Sequence, residues 1–259
     1  MLADDGDVLS LVTESVSDGP FNLVLPAVDF TRVVSPDARV ESRADGLRLG
    51  DIEIDARSAR TWEARPDWRQ IQSKADRLQV GLEHVMAVLE GSALDEGLAG
   101  LIVDLPMQRG ALAEDILRQA RPSAEELMLG MRKADASICR QAAGELAGLG
   151  GGLTPAGDDW IVGALLGAWV LWKHEEAAQL GEAVMQAARR SPPLSLCWIR
   201  AAAGGECSMR WHELLGALQR RDESPIRSAA QRMLAQGHTS GADALAGFVA
   251  VLRGERLRE

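Results

Sequence analysis

Four glycines within five positions, Gly148, Gly150, Gly151 and Gly152, run through Leu153-Thr154-Pro155 into the segment AGDDWIVGALLGAWVLW, residues 156–172. Residues without a Cβ reach φ > 0 freely and let backbone N–H groups approach a bound group. Pro155 disfavours the α conformation at Thr154, so a helix is predicted to begin near Gly157 or Asp158, with Asp158 and Asp159 at its cap or in its first turn. From Trp160 to Trp172 nearly every residue is apolar or small, which predicts a helix buried on all sides. It is too short to span a bilayer. Such a helix needs protein on every face, and the rest of the chain has to supply it.

A second segment, GHTSGADALAGFVAVL at 237–252, repeats the pattern when one residue is omitted. Gly152, Thr154, Gly157, Asp159 and Gly163 align with Gly237, Thr239, Gly241, Asp243 and Gly247. Two explanations fit: a helical repeat packed for symmetry alone, or two helix starts that face one ligand. For the first segment, the matching alternatives are a plain cap-and-dipole role for the acids, or a pocket in which loop N–H groups hold an anion.

The two segments resemble those of a bacterial family marked by GLTPxGDD and a later GHxSGxD, one branch of which is the AllH-type subunit of oxamate carbamoyltransferase, from allantoin breakdown. On that likeness Thr154, Asp158, Asp159, His238, Ser240 and Asp243 take the motif positions. Ala156 stands where the family pattern has Ser, and Gly151 where it has Pro. The resemblance implies an N-terminal β-rich part, a C-terminal helical part, and partner subunits in a carbamoyltransferase complex.

The net charge of −10 disfavours a sequence-independent grip on nucleic acid or on an anionic membrane surface. An anionic substrate would then need a locally positive site, which backbone N–H groups supply without lysines. The acidic start, MLADDGDVLSLVT, does not read as a secretory signal. Cys139, Cys197 and Cys207 are odd in number and widely spaced, and read as core thiols of a cytoplasmic protein rather than a disulfide framework or zinc site. Cys207, beside Gly204-Gly205, is a minor candidate for a reactive thiol.

Residues 8–55 hold short β-prone runs, Val8–Thr13, Phe21–Leu25, Arg39–Ser42, Leu47–Leu49 and Ile52–Ile54, divided by turn signals such as Asp45-Gly46 and Gly50-Asp51. They predict a small antiparallel sheet or partial barrel. From Ser73 the period becomes helical, with Leu78, Leu82, Val85, Met86 and Leu89 on one face and Gly91 as a stop. Ala111–Gln119 is expected to end at Arg121-Pro122, and Ser123 to open a long helix through Leu146 that delivers the chain to the glycine loop. The expected class is α+β: a β unit over residues 1–70 packed on a helical domain over 71–259 that carries both motifs.

For carbamoyl transfer, Gly150, Gly151, Gly152, Leu153 and Thr154 are the candidates to meet a phosphate, with Gly157, Asp158, Thr239, Ser240 and Gly241 completing the substrate site. His238 would polarise the carbonyl or take a proton, and Asp159 and Asp243 would orient the acceptor. This reading involves a small anionic metabolite, no cofactor and hetero-subunits. The alternatives are a hydrolase in which Asp158, Asp159 and Asp243 hold Mg²⁺, and a non-catalytic subunit that binds a metabolite.

Overall fold

The structure is a computed structural model describing residues 8–26, 28–30, 34–35, 37–92, 96–103, 110–254 and 257. Its chain divides into two units, Met1–Ala64 and Arg65–Glu259. In the first lie five four-residue strands: β1 (Ser10–Thr13), β2 (Asn22–Leu25), β3 (Val40–Arg43), β4 (Gly46–Leu49) and β5 (Ile52–Asp55). The last three form the antiparallel meander expected from their turns, with Val40 opposite Leu49 and Leu49 opposite Ile52. Gly50 adopts φ +58, as a two-residue hairpin turn requires.

β1 and β2 pair in parallel instead, Ser10 opposite Asn22. The chain between them turns at Thr13–Val16, passes Ser17 at φ +75, and is held by the Asn22 side-chain amide donating to the Ser17 carbonyl. The class is thus α+β, but the β unit is two small sheets of different sense. Apolar alternation marks a strand without revealing the direction in which it pairs.

The second unit holds, among the described residues, α1 (Trp68–Gln72), α2 (Ala75–Glu90), α3 (Ala111–Lys133), α4 (Ala136–Leu146), α5 (Ala156–Leu171), α6 (His174–Ala187), α7 (Pro193–Ala203), α8 (Met209–Arg220), α9 (Glu223–Leu234) and α10 (Ser240–Arg253). The expected face of α2 is its buried face, from Leu78 to Leu89. The stop expected at Pro122 does not occur. α3 runs straight through it. An interior proline costs a helix roughly 3 kcal/mol, and here the buried Leu117, Ala120, Ala124 and Leu127 anchor the helix on both sides. The break comes later, at Ala134 with φ +53, where the Asp135 side chain accepts the N–H groups of Ser137 and Ile138 and caps α4.

α5 is buried from Ala156 to Val170, and its principal neighbour is α10. Their contact is reciprocal. A Cβ on Gly163 would lie 1.8 Å from the Ala244 carbonyl oxygen, and one on Gly247 would lie 2.3 Å from that of Trp160. The helix starts match as well: a Cβ on Gly157 would strike the carbonyl of Leu146 in α4, and one on Gly241 that of Met233 in α9. The segments α4–loop–α5 and α9–loop–α10 therefore use the aligned glycines in the same way. Around this pair, the Trp68 indole donates to Gly205 O and stacks on Trp169, whose own N–H reaches Ala202 O. No helix among the described residues is long and apolar enough to cross a membrane.

Candidate functional site

The glycine loop is shaped from beneath by Asp158. Its Oδ1 accepts from the Gly148 N–H at 2.8 Å and from the Ser191 hydroxyl at 2.6 Å, and the residue is only 1% exposed. Asp158 therefore braces the loop, while Pro155 occupies the N-cap position of α5. Gly148, Gly150 and Gly152 all have φ between +73 and +112. Gly148 also passes so close to the Arg190 carbonyl that a Cβ would lie 2.8 Å from it. Gly151, Gly152 and Leu153 are exposed, with open space beside the two glycines.

The second helix start is built around Asp243, which is fully buried. Its Oδ1 accepts from the backbone N–H groups of Leu98 (2.6 Å) and Ala99 (3.1 Å), at the start of a single 3₁₀ turn, Ala99–Leu101. Gly97, at φ +83, leaves room for this carboxylate, since a Cβ there would lie 2.5 Å from Oδ1. Burial pushes the Asp243 pKa up to about 7, against hydrogen bonds from Leu98, Thr239 and Ala99 that favour the charged form.

Between the two starts the Thr154 and Ser240 hydroxyls lie 2.8 Å apart, 86 residues distant in sequence. Asp159 sits beside them, 8% exposed. Its Oδ2 has no hydrogen-bond partner among the described residues. Burial is the main force raising its pKa, to about 8; Ser240 lowers it, the charges of Asp243 and Asp158 raise it, and Thr154 lowers it. The carboxyl faces a cleft of about 170 Å³. α5 and its loop contribute Thr154, Asp159 and Val162, and α10 contributes Ser240, Gly241 and Ala244. The remaining walls are Trp198 of α7, Ser208 and Trp211 at the start of α8, and Met233, Gln236 and Gly237 at the end of α9. Trp211 is fixed against Phe248, ring centroids 5.1 Å apart.

Of the residues singled out in the sequence, Thr154, Asp159, Gly237, Ser240 and Gly241 line this cleft. Gly150, Gly151, Gly152 and Leu153 lie in the loop outside its lining, Gly157 packs on Leu146, Thr239 bonds Asp243, and Asp158 and Asp243 each hold a backbone segment in place. The His238 side chain is 78% exposed, its Nδ1 3.9 Å from Glu96 Oε2. Trp198, Trp211, Ser208 and Gln236 carried no motif. Their signal was faint: Ser208 precedes a helix start, and the two tryptophans sit inside α7 and α8, apart from both motifs.

No group of three or more His, Cys, Asp or Glu among the described residues is arranged to hold a metal ion. Of the three acids in the Mg²⁺ alternative, Asp158 and Asp243 are already committed to backbone donors. The cysteines are free and buried, and burial pushes the Cys139 thiol up to about 12 and raises that of Cys207 further still. A nucleophilic role for Cys207 is therefore disfavoured.

Two glycine-marked helix starts thus meet at one small, mostly uncharged cleft within the helical unit. Residues 146–252, which include every residue lining the cleft, match the family model described as oxamate carbamoyltransferase subunit AllH. The resemblance seen in the two motifs thus extends over the whole segment that carries them. No curated protein and no solved structure matches the chain.

Proposed function

We propose that this chain is a subunit of an oxamate carbamoyltransferase-like enzyme and that a small substrate, oxamate or carbamoyl phosphate, binds at the paired starts of α5 and α10. The observation that carries this reading is the meeting of Thr154 and Ser240 beside the carboxyl of Asp159. The Asp159 carboxyl lines the cleft together with these two hydroxyls, and a ligand there would meet all three polar groups, each of which costs about 1–3 kcal/mol when buried unpaired. The charged end of the substrate is assigned to the exposed loop amides of Gly151–Leu153, and its reacting end to the cleft. Asp159 orients the acceptor. His238, next in sequence to Gly237 of the lining, is the candidate for proton transfer at the rim. Asp243 contributes by fixing the start of α10.

The Mg²⁺ hydrolase reading is weaker, because two of its three acids already serve the backbone. The test is reconstitution with the partner subunits of a carbamoyltransferase and assay of carbamoyl transfer. Ser240→Phe, which fills the cleft, should abolish turnover while leaving the helical circular dichroism intact; full turnover would refute the site. If Asp159→Ala and His238→Ala both bind substrate poorly yet the complex keeps its turnover, the chain is a metabolite-binding subunit and the chemistry belongs to a partner.

A further inference from the structure

The cleft is lined, among the described residues, by no lysine, arginine or histidine. Its polar groups are the Asp159 carboxyl, the hydroxyls of Thr154, Ser208 and Ser240, and the side-chain amide of Gln236, set against the indoles of Trp198 and Trp211. A carboxylate or phosphate pushed into this space would meet an acid with no cation to offset it. An uncharged planar group would meet the complement it needs.

We infer that the cleft receives the carboxamide group, –CO–NH₂, of the substrate, paired along its edge with the Asp159 carboxyl that lines the cleft beside Thr154 and Ser240. This rests on the cleft being the substrate site. A carboxyl that keeps its proton presents one donor and one acceptor in a plane, which matches the C=O and N–H of a primary amide. Burial holds the Asp159 pKa at about 8, so this form prevails at neutral pH. The assignment also supplies an orientation: the amide nitrogen, the atom to be carbamoylated in an acceptor such as oxamate, is held inside, and the charged end faces out. The step forms a bond from that nitrogen to the carbamoyl carbon, releases phosphate from that carbon, and passes one proton from the nitrogen to a base.

Binding of oxamate, acetamide, oxalate, acetate and inorganic phosphate to the whole chain, measured by calorimetry at pH 7, tests the assignment. Oxamate should bind at least about tenfold more tightly than oxalate, a difference of about 1.4 kcal/mol, and acetamide more tightly than acetate. Asp159→Ala should lose at least about tenfold in oxamate affinity, whereas Asp159→Asn, which keeps one donor and one acceptor, should stay within about threefold. Oxamate preference in the wild type should fall as the pH rises through about 8, and remain flat in the Asn variant. Oxalate or phosphate binding as tightly as oxamate, or unchanged oxamate binding by Asp159→Ala, overturns the inference. If that oxalate or phosphate binding is lost in Ser240→Phe, the cleft stands as the site and only the carboxamide assignment falls. If no probe binds, or Ser240→Phe binds as wild type does, the site assignment falls with it.

Discussion

The Thr154 and Ser240 hydroxyls, 2.8 Å apart, tie the loop before α5 to the first turn of α10. They join the two halves of the aligned motif at the point where Asp159 meets the cleft. A double-mutant cycle with Thr154→Val and Ser240→Ala should give a coupling energy of about 0.5–1.5 kcal/mol in urea unfolding. Strictly additive losses would mean that the contact contributes nothing.

The glycines of the site fall into two kinds, and substitution separates them. Gly163→Ala and Gly247→Ala place a methyl group against backbone carbonyls and should each destabilise the protein by at least about 1–3 kcal/mol. Gly151→Ala, with open space around it and no positive φ, should stay within about 0.5 kcal/mol of wild type. Chemical denaturation of the three variants checks the ordering.

Asp158 should matter to the loop more than to α5. Removing its carboxylate in Asp158→Ala leaves the Gly148 N–H and the Ser191 hydroxyl without their acceptor, at a cost of about 1–3 kcal/mol. Amide exchange should then speed up over residues 148–153 while the middle of α5 stays protected. Asp158→Asn, which retains an acceptor oxygen, should lie between the two.

Stability should depend on pH through Asp159 and Asp243. Both hold a proton more tightly folded, at about 8 and about 7, than at the ordinary value of 3.8. Below 3.8 their contribution is fully present. As the pH rises, the unfolded chain gives up these protons first, so folding loses stability until the folded pKa values are passed. The wild-type Tm should therefore fall across this window more steeply than that of Asp243→Asn, and parallel curves would argue against a retained proton.

The three cysteines should resist a thiol reagent such as DTNB in the native protein and react together on unfolding, because all are buried and the thiols of Cys139 and Cys207 are held protonated.

What the sequence made legible was local. Pro155 placed the start of α5, the apolar run placed its burial, and the spaced glycines revealed the α5–α10 relationship. What it hid was nonlocal. Nothing near Asp243 announces that its partners are the backbone of Leu98 and Ala99, 145 and 144 residues away, and nothing near Asp158 points to Ser191. Trp198 and Trp211 carry no local mark of the cleft, because an aromatic residue on an amphipathic helix suits a core as well as a cleft wall. Pro122 misled because its local cost is outweighed by burial on both sides, a balance only the folded neighbours decide.

Because Gly163 and Gly247 interlock with each other's helix, α5 and α10 can neither slide along one another nor spread without losing backbone contact. The two sides of the cleft that carry Thr154, Asp159 and Ser240 therefore behave as one rigid jaw. Under the proposed function, accommodation of molecules of different size falls to the other lining residues, Trp198 within α7 and Ser208 in the connection between α7 and α8. Variation among related proteins in what the cleft accepts should be sought in that connection, with the glycine-marked jaw left unchanged.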